Sequence, residues 1–235
     1  MPIAQPGLPR LIGRGIGDNG KTGRTLDGPR TVRFAANETI HRAGETPDNV
    51  HLIQSGMAKV VSHLPSGQAR IVRLHGTGHW LGLEGLLRQP CGHAVIAVRE
   101  LEAYRFPVDG FPGHPGQDYG PAGPLARQWH SDLRQAEKWI SEFSTGGIPR
   151  RVACLLAYLA ELEHGDGACT VELLTVSEMA EILGVTQESV SRVLAAFKRR
   201  GVLERPAGAP RDTFRLDYAR LRQQAVLSTS DPVEF

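Results

Sequence analysis

Cysteine is scarce in this chain. The three thiols, Cys91, Cys154 and Cys169, are too few and too unevenly spaced among 235 residues to build a disulfide framework, which favours a reducing compartment. Long apolar runs are missing too. Nothing approaches the ~20 consecutive apolar residues of a membrane-spanning helix, and the first ten residues lack a signal-peptide core, so a cytoplasmic protein with no membrane partner is expected. Neither sign of charge prevails: 27 basic and 25 acidic side chains leave a formal net charge of +2. That total neither demands nor excludes a nucleic-acid partner. With 40% hydrophobic and 22% charged residues, the chain is of globular type and long enough for two medium domains.

What is present is densest over residues 174–205, which read as two helices joined by a tight turn. Thr175 can cap a backbone N–H while Glu178, three residues on, bonds back, and Met179, Ile182 and Leu183 follow at helical spacing. Gly184 interrupts the pattern with the residue that tolerates positive φ. A second helix starts from Thr186. Its apolar residues Val190, Val193, Leu194 and Phe197 define one buried face. Gln187, Glu188, Ser191 and Arg192 lie on another, within the first turn and a half, which is the part that a helix entering a major groove presents to base edges. An ordinary amphipathic surface helix would show the same four polar residues, so it is the surrounding pattern that tips the reading. After Gly201, an apolar start at Val202, a turn over residues 207–210 and alternation over 213–216 predict a two-stranded wing.

This stretch resembles the C-terminal domain of the Crp/Fnr superfamily of bacterial transcription regulators, through Thr175, Ala180, residues 183–186 and 188–192, and residues 201–203. Glu188, Ser191 and Arg192 match the spacing of the family's Fnr branch, so the resemblance implies a TTGA-type half-site. The chemistry agrees: an Arg fork reads guanine O6 and N7, a carboxylate accepts from cytosine N4, and a Ser beside them can meet a thymine. Thr175, Ser177 and Thr186 stand at helix starts where phosphates dock. Lys198, Arg199 and Arg200 add diffuse attraction or form a solvated helix end. The resemblance further implies double-stranded DNA, a second copy of the chain and RNA polymerase as partners.

Residues 1–30 are rich in Gly, Pro and Arg and read as an irregular arm. Gly15, Gly20, Lys21 and Thr22 fit the spacing of a phosphate-binding P-loop, but no strand precedes them and Gly28-Pro29 breaks any helix behind, so the motif lacks the context that aims its amides. From residue 31 to 107, short alternating runs at 31–34, 38–41, 49–55, 58–63, 69–74, 79–81, 94–98 and 101–106 predict an antiparallel barrel or jelly roll. Residues 43–45, 50–56 and 78–82 make this region similar to the cyclic-nucleotide-binding-like sensor of the same superfamily. Its effector pocket then falls at Gly82, Leu83, Glu84, His93 and Ala94. In relatives that bind cyclic AMP, a Gly-Glu pair holds the ribose and an Arg-Ser pair the phosphate. Here Leu83 follows Gly82, Glu84 comes one residue late, and His93-Ala94 cannot replace a guanidinium and a hydroxyl, which argues against cyclic AMP. Three cysteines cannot assemble a four-thiolate iron-sulfur cluster, and the family's interior ligand position falls near Tyr104.

Two alternatives stay open. Imidazole and thiolate at His75, His79, Cys91 and His93 are haem ligand types, so a haem- or redox-dependent gas sensor of the same family is one. A cupin-like metalloenzyme with His75, His79 and Glu84 as ligands, targeted by a DNA-binding domain, is the other. The spacing of these residues matches no standard metal signature, and surface or structural histidines account for them more simply. Cys91 and Cys169 are the better candidates for oxidation, Cys154 being a small core hydrophobe.

Residues 109–123 read as a Pro- and Gly-rich hinge loop. Leu125, Trp129, Leu133, Ala136, Ile140 and Phe143 then draw an apolar stripe along a helix of about twenty residues that starts at Pro124 and ends at Gly146-Gly147. The resemblance makes this the dimer helix; packing on its own barrel is the other option. Val152, Leu155, Leu156 and Leu159 place one more amphipathic helix over residues 150–163, and residues 228–235 read as a frayed tail. The expected fold is α+β: an arm (1–30), an antiparallel jelly-roll sensor domain (31–120), a long dimerisation helix (121–147) and a winged helix-turn-helix (148–228). No catalytic residues and no metal site are expected.

Overall fold

Eight short strands bounded by turn residues account for the N-terminal region of this computed structural model, which describes residues 30–110, 124–164 and 169–227. The arm over 1–29 with its P-loop-like motif, the loop at 111–123, the turn at 165–168 and the tail at 228–235 lie outside the described residues. The strands are β1 (Arg30–Phe34), β2 (Thr39–His41), β3 (Asn49–Ser55), β4 (Ala58–His63), β5 (Ala69–His75), β6 (Trp80–Leu81), β7 (Ala94–Ala97) and β8 (Leu101–Pro107). They form two four-stranded sheets in the orders β1-β8-β3-β6 and β2-β7-β4-β5. Non-consecutive neighbours of this kind make a jelly-roll-like antiparallel domain.

Along β7 the burial alternates, with Val95 and Ala97 inward. Strand β3, paired with β8 on one side and β6 on the other, instead buries Val50, His51, Leu52 and Ile53 in succession, as a strand covered on both faces does. Val50, Leu52, Trp80, Leu83, Leu86 and Val108 share one core cluster, with Tyr104 and Phe106 against it. A 3-10 turn over Leu83–Leu87 follows Gly82, which sits in the left-handed region at φ 76°.

By their contacts, Met1–Val61 and Leu74–His130 form one unit, and Ser62–Arg73 with Ser131–Phe235 the other. The tip of the β4–β5 hairpin therefore groups with the helical part, whereas the sequence boundaries kept it inside 31–120. Helix α1 (Pro124–Lys138) runs on into a π-helical turn over Trp139–Phe143. Trp139 and Phe143 are buried there, their rings in edge contact with each other and with Tyr158. Of the rest of the expected stripe, Trp129, Leu133 and Ile140 face outward, 47%, 59% and 70% exposed, and Ala136 is half-buried. The side chain of Leu125 lies outside the description.

Helices α2 (Ile148–His164), α3 (Val176–Leu183) and α4 (Gln187–Arg199) follow. The apolar residues predicted for α2, Val152, Leu155, Leu156 and Leu159, are all buried. Two features depart from the sequence reading. The wing is three-stranded, in the order β10 (Leu203–Glu204), β11 (Thr213–Leu216), β9 (Thr170–Glu172), because Val171 pairs with Phe214. Helix α5 (Tyr218–Leu227) has no counterpart in the sequence pattern; it starts at Asp217, whose carboxylate accepts from the Arg220 N–H at 3.0 Å. No helix of the described residues is long and apolar enough to cross a membrane.

The turn between β3 and β4 rests on Gly56, at φ 89°, where a β-carbon would overlap the Glu100 carbonyl oxygen. Gly67 has a similar φ of 82° but nothing within 4 Å. Gly67→Ala should therefore cost about 1 kcal/mol, the strain of a left-handed alanine alone, and Gly56→Ala clearly more. Urea unfolding midpoints of the two variants check this; equal losses would contradict it.

Candidate nucleic-acid interface

The capping box expected from the sequence is formed. Thr175 Oγ1 accepts from the Glu178 N–H at 3.2 Å and donates to Glu178 Oε2 at 2.7 Å, while the Thr175 N–H donates to the same carboxylate at 3.0 Å. The end of α3 is equally well defined. Gly184 takes φ 62° and its N–H donates to the Ala180 carbonyl at 2.7 Å. Thr186 then caps α4 by accepting from the Ser189 N–H at 3.3 Å.

Met179, Ile182 and Leu183 of α3 and Val190, Leu194 and Phe197 of α4 are buried. That burial leaves Gln187, Glu188, Ser191 and Arg192 exposed together along the start of α4. Gln187 is the most constrained of the four, since its side-chain amide donates to Ser177 Oγ at 3.1 Å and Ser177 in turn donates to Glu181 at 3.2 Å. Of the three residues assigned to phosphates, Thr175 has its hydroxyl donor committed to Glu178 and Ser177 has its own committed to Glu181. Thr186 Oγ1 lies 3.0 Å from Ser189 Oγ.

The far end of α4 is tied to the wing. Lys198 Nζ sits 4.5 Å from the centroid of the Phe214 ring, a cation–π contact. Arg220 Nη1 donates to the Arg200 and Gly201 carbonyls at 3.1 Å each. A guanidinium just past the end of a helix meets the negative end of its dipole. Arg151 does the same at the end of α3, where Nη2 donates to the Leu183 carbonyl, while its Nε donates to the Phe143 carbonyl at the end of the π-helical turn at 2.6 Å. Neither Arg151 nor Arg220 stands out by sequence spacing, since each acts on a carbonyl far along the chain.

The sensor-pocket residues do not converge equally. Gly82 and Leu83 are buried and Ala94 partly so, whereas Glu84 and His93 are exposed. The residues against Gly82 escaped the sequence reading. A β-carbon at Gly82 would stand 2.6 Å from His41 Nε2 and 2.9 Å from the Asn49 carbonyl. His41 Nε2 lies 3.2 Å from His51 Nδ1, with both rings buried. Two imidazoles share such a bond only when one nitrogen carries the proton and the other accepts. Burial lowers His41 to about 4, and burial together with the neighbouring His41 and Arg105 lowers His51 to about 3.

Of the residues considered for haem or metal, His75 and His79 meet, their ring centroids 5.5 Å apart, but among the described residues no three His, Cys, Asp or Glu side chains form a ligand group. Cys91 is buried, and burial with Glu84 and Glu45 nearby raises its thiol to about 11. That holds it as the unreactive thiol, contrary to its place among the oxidation candidates. Cys154 is raised by burial as well, and Cys169 is exposed.

The histidine pair makes stability depend on pH. Unfolded, each ring takes a proton near pH 6.5; folded, only near 4 and 3. The unfolded chain therefore binds more protons between these values, so stability is complete above about pH 6.5 and declines as pH falls through that window. From pH 7 to 5 the two rings should cost roughly 2 kcal/mol or more. Urea unfolding at both pH values checks this, and His51→Gln should shrink the difference; an unchanged slope would contradict it.

Comparison with known proteins fits this geometry. Residues 31–113 match the cyclic nucleotide-binding domain family and residues 150–224 the Crp-like helix-turn-helix domain family. The chain is 28% identical over 195 residues to the transcriptional regulator LdrP of Thermus thermophilus, spanning 82% of this chain and 95% of that one. It is 28% identical over 205 residues to the transcriptional activator protein FnrL of Cereibacter sphaeroides, spanning 82% and 79%. The crystal structure of a CRP-family transcriptional regulator from Thermus thermophilus superposes with a TM-score of 0.67 at 26% identity, covering 83% of this chain and 96% of that one. FixK2 of Bradyrhizobium japonicum shares the fold, with a TM-score of 0.71 at 23% identity and coverages of 83% and 96%. With a sensor-type domain, a helix-turn-helix of matching type and regulators aligned along four-fifths of its length, the chain belongs to the Crp/Fnr superfamily of DNA-binding transcription regulators.

Proposed function

We propose that the protein acts as a homodimer that reads a palindromic TTGA-type site through α4 and controls transcription without cyclic AMP. The observation that carries this is the exposed row Glu188, Ser191 and Arg192 on the first turns of a helix whose other face is locked by Val190, Leu194 and Phe197. Arg192 supplies the bidentate fork for guanine, Glu188 accepts from the cytosine paired with it, and Ser191 meets a neighbouring thymine. Gln187 borders them and orients Ser177. The N-terminal N–H groups of α3 and α4, with Thr175, Ser177 and Thr186 beside them, face the sugar-phosphate strands and set the register.

A palindrome calls for two such helices about one helical turn of DNA apart. The outward stripe of Trp129, Leu133 and Ile140 supports pairing of α1 with a second copy, since apolar side chains exposed in a row at helical spacing gain by mutual burial. Control independent of cyclic AMP is supported by Leu83 following Gly82, by the exposed His93 and half-buried Ala94 where a guanidinium and a hydroxyl are needed, and by the His41 ring filling the space beside Gly82. The role is regulation of RNA polymerase rather than catalysis.

Three measurements test this reading. Arg192→Ala should lose ~1 to 3 kcal/mol of preference for a TTGA palindrome over scrambled duplex while keeping weak, salt-sensitive binding; an equal loss on both duplexes, read by fluorescence anisotropy, would count against base reading. Leu133→Glu combined with Ile140→Glu should turn a dimer into a monomer in light scattering, and an unchanged mass would reject the stripe as the interface. Titration calorimetry with cyclic AMP should show no binding heat.

A further inference from the structure

The tip of the β4–β5 hairpin, which groups with the helical unit, stands against the surface assigned above to DNA. Leu64, Gln68, Ala69 and Arg70 form one wall of a cleft of about 550 Å³. The helix-turn-helix forms the other, and Ser177, Thr186 and Gln187 line it. Three of the seven side chains assigned to DNA thus face the hairpin, and the Gln187 to Ser177 to Glu181 hydrogen-bond chain runs along the same wall.

Arg70 provides the closest approach. Its guanidinium lies so near the Cα of Gly184 that a β-carbon there would overlap it. Gly184 is demanded by its left-handed backbone at the end of α3, and the Arg70 guanidinium rests against it. The same end of α3 already holds the Arg151 guanidinium on the Leu183 carbonyl; the two cations share the negative pole of the helix and repel each other there, so the contact of Arg70 is one that can open.

Ser177, Thr186 and Gln187 therefore have the hairpin tip on the side from which a sugar-phosphate strand would reach them.

We infer that the tip over residues 62–73 is an autoinhibitory latch: seated on the Gly184 turn through Arg70, it denies DNA the Ser177–Thr186 edge of the helix-turn-helix, and binding requires it to leave. The inference rests on α4 being the base-reading helix. Its effect on affinity follows from populations. A latch shut nine-tenths of the time leaves one-tenth of the protein competent and weakens apparent binding about tenfold.

The test locks and loosens the latch in the full chain. In a Cys169→Ser background, Gln68→Cys and Val185→Cys place one thiol on each wall, and a bismaleimide short enough to span the cleft joins them; the comparison protein is the same variant with each thiol capped by N-ethylmaleimide. Anisotropy on a TTGA palindrome and a scrambled duplex is the readout, using the product that runs as a single chain on a denaturing gel. The cross-linked protein should bind the palindrome at least tenfold more weakly than the capped one, and Arg70→Ala should bind it more tightly than wild type, by up to about tenfold. Equal affinity of cross-linked and capped protein, or no tightening in Arg70→Ala, overturns the latch. Failure of the base-reading assignment looks different: the capped protein then shows no preference between the duplexes, while the cross-linked to capped ratio still judges the latch on either one.

Discussion

One residue sets the angle at which α4 follows α3. Gly184 ends α3 in the left-handed region, its N–H closing on the Ala180 carbonyl, and two residues later Thr186 starts α4. A side chain at 184 would be strained there by its own backbone and would collide with Arg70. Because the turn is so short, the apolar faces of the two helices meet at once: Met179, Ile182 and Leu183 share a core with Val190, Leu194 and Phe197. Everything polar on α4 is then left outside by elimination. The exposure of Arg192 and Glu188 follows from what the opposite face must bury.

Around that turn guanidinium groups from distant positions add to the closure that neighbouring N–H groups give the backbone ends. Arg151 serves the end of α3 and Arg220 the end of α4. Arg151 satisfies a carbonyl that helix geometry leaves without a partner, Arg220 bonds the two carbonyls just past α4, and each brings a charge of the sign the helix dipole favours. Lys198 is held on the Phe214 ring at the wing. Part of the basic run at the end of α4 is thus structural, which concentrates the proposed base reading on the N-terminal turns of the helix.

In the jelly-roll domain His93 is exposed and Ala94 half-buried. The interior beside Gly82 is occupied by two neutral imidazoles bonded to each other. Neutral rings tolerate burial that an anion and its counter-charge would make costly. Their contact ties the packing beside Gly82 to the imidazoles staying uncharged.

Much of the molecule was legible in one dimension because its rules are local. Capping by Thr175 and Glu178, the stop at Gly184, the restart at Thr186 and the period-2 runs of the jelly roll depend on residues within a few positions of one another, so spacing alone placed these elements to within a residue or two. The family resemblance came from the same short motifs. What spacing does not carry is any partner from a distant stretch. Pairing of Thr170–Glu172 with β11, the meeting of His41 and His51, the seat of Arg70 on Gly184 and the reach of Arg151 to the Leu183 carbonyl each join segments whose separation the sequence does not encode by period. Helix starts, stops and apolar faces were therefore determined by the sequence itself, through local hydrogen bonding and side-chain periodicity. Which buried group neutralises which, and which surface is covered, was decided only when tertiary packing brought remote residues within contact distance.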